Sequence, residues 1–133
     1  MSYSIYQVEL PENPEAIAFV NGFLARDRAG LIWMWKNLLW IKNTTATADG
    51  CVQVKAGICA ANEVVMVSYW RSPQSLQAFF KGKFHRQMMQ FVAKHPESLC
   101  LYNETYQPTA SGKYSHEPQE PIPLISRDEL ESE

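Results

Sequence analysis

The pattern of apolar and polar positions switches along the chain between the period of a strand and that of a helix. Ala16 to Leu24, AIAFVNGFL, mixes β-branched and aromatic residues behind a proline-rich turn at Pro11 to Pro14, which predicts a buried strand. Gly22 within it marks a bulge or a close backbone approach. Leu31 to Lys42, LIWMWKNLLWIK, holds no proline and no glycine and is long enough for a helix of about three turns. Only Lys36, Asn37 and Lys42 are clearly polar, so the helix is apolar nearly all round and is expected to be buried on more than one side.

Cys51 to Cys59 alternates, with Val52, Val54, Ala56 and Ile58 on one side and Gln53 and Lys55 on the other. The turn AANE leads to Val64 to Trp70, VVMVSYW, a second strand. Ser72 as N-cap and Pro73 at the first helical position open a helix that runs through Ala93. Its apolar stripe is Leu76, Phe79, Phe80, Phe84, Met88 and Phe91. Gly82 weakens this helix near its middle, and His95-Pro96 ends it because a residue before proline avoids the helical region. Leu99 to Tyr106, LCLYNETY, is the last strand.

The order strand, helix, strand, strand, helix, strand is the split-βαβ pattern of an α+β, ferredoxin-like βαββαβ fold, a four-stranded antiparallel sheet with two helices on one face. The other face is left bare. Its occupants come from the pairs Cys59 or Ile58, Tyr69 or Trp70, and Tyr102 or Leu101. A bare face rich in aromatics needs cover, and the simplest cover is the same face of a second copy about a twofold axis, a homodimer.

Length and charge change this picture at one place. The 133 residues suit one domain that needs no disulfide or metal to hold its core. Up to Gln107 there are ten Lys and Arg against eight Asp and Glu; from Pro108 onward there are two against six, with half of the eight prolines. Residues 1–107 are therefore expected to form the folded α/β domain, and 108–133 an extended or disordered acidic, proline-rich tail. The apolar Ile122, Leu124 and Ile125 leave open that this tail straps a neighbouring subunit.

The net charge of −2 argues against a nucleic-acid partner. No apolar run reaches the length of an integral membrane segment, and MSYSIYQVEL lacks the features of a signal peptide. Cys51, Cys59 and Cys100 form no CxxC and no zinc spacing, which suits reduced thiols in a cytoplasmic protein and predicts no metal site. There is no phosphate loop and no GxSxG, and flavin and nicotinamide binding have no motif.

Tyr69 to Met88, YWRSPQSLQAFFKGKFHRQM, resembles a signature of the dimeric α/β-barrel superfamily that contains the antibiotic-biosynthesis-type monooxygenases. Asn103 to Tyr114, NETYQPTASGKY, is similar to the second motif of a monooxygenase-like branch of that group. The likeness spans most of Ala16 to Tyr114 and is more specific for fold than for chemistry. Two departures stand out: Asn103 replaces a histidine common in that branch, and SHEPQEP replaces an apolar continuation. PTASGKYS is more faintly similar to the spheroidene monooxygenases, carotenoid-oxidising enzymes of haem type. These resemblances imply an oxidative or haem-linked role, with haem as a cofactor left open. In haem-degrading relatives a helix histidine holds the iron, and the alignment brings that position near Met88.

His85 sits at the edge of the second helix's apolar stripe, and an imidazole can ligate haem iron or serve as acid or base near pH 7. The other reading of His85 is a boundary residue bonded to solvent or backbone. Met88 and Met89 lie on the same side of that helix. Glu104, between Tyr102 and Tyr106 on one strand face, would suit proton transfer if buried; otherwise it is an edge carboxylate paired with a cation such as Arg71 or Arg86. Asn21 either lines the pocket or satisfies a bulge at Gly22. Of Tyr69 and Trp70, one packs in the core and one faces the dimer seam. The expected pocket lies between sheet and helices, bounded by Asn21, Trp35, Phe80, His85 and Met88, with Trp70 beside it.

Three functions remain open. The first is an enzyme, a monooxygenase or haem-type oxidoreductase acting on a small hydrophobic or aromatic molecule with His85, Glu104 or Asn21 assisting. The second is a non-catalytic dimeric module that binds such a molecule or serves assembly. The third is peripheral membrane contact through the Trp-rich helix, weakened by its few basic residues.

Overall fold

A computed structural model describes residues 3–8, 15–110, 112–116 and 127–132. The turn at Pro11 to Pro14 and the patch at Ile122, Leu124 and Ile125 lie outside the described residues.

The elements run β1 (Tyr3–Val8), β2 (Ile17–Ala25), α1 (Arg28–Ala46), β3 (Cys51–Ala60), β4 (Glu63–Trp70), α2 (Pro73–Phe80), α3 (Lys83–Lys94), β5 (Leu99–Tyr106), β6 (Gly112–Tyr114) and β7 (Arg127–Ser132). Strands β3-β4-β2-β5 form an antiparallel sheet in that order, the ferredoxin-like arrangement read from the pattern. In a second sheet, β6-β1-β7, β1 pairs antiparallel with both neighbours. Segments 112–114 and 127–132 of the expected tail are thus extended as strands against the chain's first strand.

Register decides which residues face the helices. Phe23, Asn21 and Phe19 of β2 stand opposite Val64, Met66 and Ser68 of β4, and opposite Leu101, Asn103 and Thr105 of β5. Opposed residues share a sheet face, so this set points at the helices. Ala18, Val20, Gly22 and Leu24, with Val65, Val67, Tyr69 and Tyr102, take the open face. Trp70 is therefore the core member of its pair, and its indole N–H donates to the Ser68 hydroxyl at 2.8 Å. The β2 ladder stays regular through Gly22, so there is no bulge. The glycine is needed because a Cβ there would run into the Tyr102 ring.

Helix α1 starts three residues earlier than the hydrophobic pattern predicts. Asp27 is its N-cap and accepts from the Gly30 N–H at 2.9 Å. Gly30 falls inside the helix and lets it press on the Ser98 carbonyl, where a side chain would clash. The expectation that this helix is buried on several sides is corrected. It buries Gly30, Met34, Ile41 and Thr45, while Ile32, Trp35, Leu39 and Trp40 remain exposed. α1, α2 and α3 all cover the same face of the four-stranded sheet, and no described element lies over α1's outer surface. The second predicted helix is divided in two at Lys81-Gly82, with Gly82 as an N-cap that lends no side-chain bond.

The core has two clusters. One gathers Phe23, Met34, Ile41, Val64, Met66 and Met88 with their neighbours; the other is Ile17, Phe19, Trp70 and Leu76.

Candidate functional site

A cavity of about 380 Å³ opens between the two clusters, bounded by the sheet beneath and by α1, α2 and α3 above. Phe19, Trp70 and Leu76 contribute from one cluster; Phe23, Ile41, Met66 and Met88 contribute from the other. Phe79, Phe80, Phe84 and Met89 supply the helical wall. Such an apolar chamber of this size is typical of small-molecule sites.

Besides Tyr102, whose hydroxyl is bonded to Glu63, five polar side chains interrupt the lining: Asn21, Thr45, Ser68, His85 and Asn103. Two of them are engaged elsewhere. Thr45 donates to the Ile41 carbonyl at 2.7 Å, and Ser68 accepts from Trp70 while donating to the Phe19 carbonyl at 3.4 Å. The amides of Asn21 and Asn103 and the imidazole of His85 are left to face a guest. Asn21 and Asn103 stand directly opposite each other on β2 and β5. His85, in the first turn of α3, packs against Phe80 at 5.0 Å and Phe79 at 6.4 Å between ring centroids. Burial among these rings holds its pKa below the ordinary imidazole value, and a bond to the Phe80 backbone offsets part of that shift. His85 is therefore largely neutral at pH 7 and able to accept a proton.

The structure brings Asn21, Trp70, Phe80, His85 and Met88 to this one cavity. It places two expected residues elsewhere. Trp35 lies on the outer side of α1, where its indole N–H donates to the Ala61 carbonyl at 2.9 Å. An apolar helix gives no signal of which face turns inward. Glu104 is exposed on the open sheet face, across the sheet from His85, and accepts from the Tyr106 hydroxyl rather than from Arg71 or Arg86. In the sequence, Asn103 stands out only as a departure from a family motif. The strand alternation that puts Tyr102 and Glu104 on one face assigns Asn103 to the other, and that was the signal for it.

A model of the Monooxygenase af470-like family matches residues 25–116. That span covers α1 to β5 and so includes His85, Asn103 and the whole helical wall. The chain belongs to the Monooxygenase af470-like family. No curated protein is significantly similar to it in sequence. Solved structures share its fold at low identity. A candidate antibiotic biosynthesis monooxygenase from Deinococcus radiodurans is 13% identical with a TM-score of 0.58, covering 69% of this chain and 92% of that one. SnoaB, a cofactor-independent oxygenase from Streptomyces nogalater, is 10% identical with a TM-score of 0.56, over 71% and 94%. A protein from Shewanella oneidensis is 16% identical with a TM-score of 0.58, over 81% and 97%. At these identities the likeness establishes the fold, and the family membership carries the monooxygenase-like character of the af470-like chain.

Proposed function

We propose that this af470-like protein is a cofactor-independent monooxygenase that oxidises a small hydrophobic or aromatic substrate inside the cavity. The observation that carries this reading is the convergence of Asn21, Asn103 and the neutral His85 on an otherwise apolar chamber. An imidazole base of depressed pKa removes only protons already made acidic, so the fitting substrate has a C–H or O–H activated by an aromatic ring or carbonyl. The two asparagine amides donate to the oxygen on which charge gathers when that proton leaves. The anion then reduces dioxygen. For an activated methylene, both C–H bonds break, a C=O forms, and the second oxygen leaves as water. The substrate supplies all the electrons.

Haem fits this lining poorly. His85 and Met88 could offer a nitrogen and a thioether, but no Lys or Arg among the described residues lines the cavity to meet two propionates. No step is therefore assigned to haem.

The test is oxygen uptake by purified protein with a panel of polycyclic phenols and ketones, no cofactor added. Consumption that falls at least about tenfold in His85→Ala supports the enzyme. Saturable binding with no uptake of oxygen favours the non-catalytic binding module instead.

We also propose that two copies pair through the open sheet face. Val20, Leu24, Val65, Val67 and Tyr69 on that face are half-buried in the single chain. Covering about 800 Å² per partner is the usual scale of a stable interface. Light scattering should give twice the chain mass of 15.2 kDa; a monomer at micromolar concentration would refute the pairing.

A further inference from the structure

Six large hydrophobic side chains are exposed among the described residues, and four lie on one face of α1: Ile32, Trp35, Leu39 and Trp40. The spacing i, i+3, i+7, i+8 is that of a single helical stripe. A fifth, Ile58, is 66% exposed on the helix-facing side of edge strand β3, and Trp35 reaches over the end of that strand to bond Ala61. The result is one continuous apolar patch on the opposite side of the fold from the open sheet face.

The charges carried by α1 itself have one sign. Arg28, Lys36 and Lys42 are the only charged residues of α1, and the helix contains no carboxylate. Asp27, just before it, is turned onto the Gly30 N–H and the Ser98 hydroxyl. Arg28 and Lys36 are exposed on the same side as Ile32 and Leu39.

We infer that the outer face of α1 docks this protein on a lipid bilayer that carries anionic headgroups. Tryptophan and leucine on a helix flanked by cations are what a surface-lying helix presents to a membrane. Exposed cations on a helix without acids of its own fit the negative potential of anionic lipid. A second copy suits the face less well, because a twofold contact would set like cations against each other with no carboxylate between them. The helix lies on the bilayer rather than crossing it, since no helix among the described residues is long and apolar enough to span one.

The experiment is flotation of the full-length protein with phosphatidylcholine vesicles, alone or with roughly one-third phosphatidylserine. Tryptophan emission is followed in parallel. The wild type should float with the mixed vesicles, and its emission should shift to shorter wavelength. Leu39→Asp and Ile32→Asp alter side chains that are 70% and 58% exposed, so thermal melting should match the wild type. Each should weaken partitioning at least about tenfold. Lys36→Glu should weaken it on mixed vesicles only. No flotation on either vesicle, or equal flotation of wild type and Leu39→Asp, overturns the inference. So does a wild-type assembly in light scattering that Leu39→Asp halves while vesicles bind nothing, which would mark the face as a subunit contact.

Discussion

The Tyr102 ring lies across Gly22 on the open sheet face, and its hydroxyl donates to Glu63 at 2.7 Å. The bond bridges β5 and β4 over the glycine of β2. Hydrogen bonding to the neighbouring carboxylate, and the carboxylate's charge, push the Tyr102 pKa up to about 12. A raised folded-state value means the contribution to stability is complete below the ordinary phenol value near 10 and is lost as pH climbs toward 12. The phenolate absorbance titration of the wild type minus that of Tyr102→Phe should show a tyrosine ionising late, and Glu63→Gln should bring it earlier. Gly22→Ala should destabilise the sheet by ~2 kcal/mol or more, because the Tyr102 ring must leave.

His85 has the opposite pH behaviour. With its pKa depressed by burial, the neutral ring's contribution holds above the ordinary imidazole value and fades as pH falls through the lower, folded value. Imidazole proton shifts followed by NMR should titrate below 6.5 in the folded protein. If oxygen uptake depends on His85 as a base, its acid limb should follow the same titration. A titration at or above the ordinary value would remove His85 from the role of a buried base.

Trp70 and Phe80 both line the cavity, yet they should respond differently to truncation. Trp70 is fully buried and hydrogen-bonded to Ser68, so Trp70→Ala should cost ~4 kcal/mol. Phe80 is half-buried and already borders open space, packing edge-on to Phe19 at 5.3 Å. Phe80→Ala should cost only ~2 kcal/mol while changing the affinity for an apolar fluorescent probe more than Trp70→Phe does. Denaturant unfolding with probe titration separates the two effects.

Asp27 ties the start of α1 to β5 through two bonds, one to the Gly30 N–H and one to the Ser98 hydroxyl at 2.9 Å. The Gly30 bond, then the Ser98 bond, hold its pKa below the ordinary carboxylate value. That support is present above the ordinary value and disappears as pH drops through the lower one. Asp27→Ala should lower the melting temperature by several degrees at pH 7, and the gap to wild type should narrow in acid.

We propose that the four-stranded domain folds without the segment after Tyr114, because that acidic, proline-rich stretch lacks the apolar periodicity of a core element. Truncation there should leave the melting temperature within a few degrees. A loss of about ten degrees or more would mean that the strap formed by β7 on β1 carries stability.

Much of the fold was readable because β2, β3, β4 and β5 each keep a strand pattern and the turns between them are marked. What escaped the sequence has physical causes. The pairing of β1 with β7 joins the two ends of the chain, and such distant pairing leaves no local signature. The break at Lys81-Gly82 needed the knowledge that Gly82 ends one helix and opens another, which its small propensity cost alone does not convey. In the site, His85, Asn21 and Met88 were legible from their places on a helix stripe and an apolar strand. Alternation grouped Tyr102, Glu104 and Tyr106 correctly, but only tertiary packing decides which side of the sheet the helices cover.

The joint at Gly82 has a consequence for how such proteins diversify. Phe79, Phe80, Phe84 and His85 all line the cavity and fall within one short stretch around that joint. That stretch thus carries most of the chamber's helical wall and its proposed base, while the sheet that holds the fold supplies the floor. A relative could exchange this one stretch and accept a different guest while keeping its scaffold intact. The helical wall of this chamber is built as a replaceable cassette.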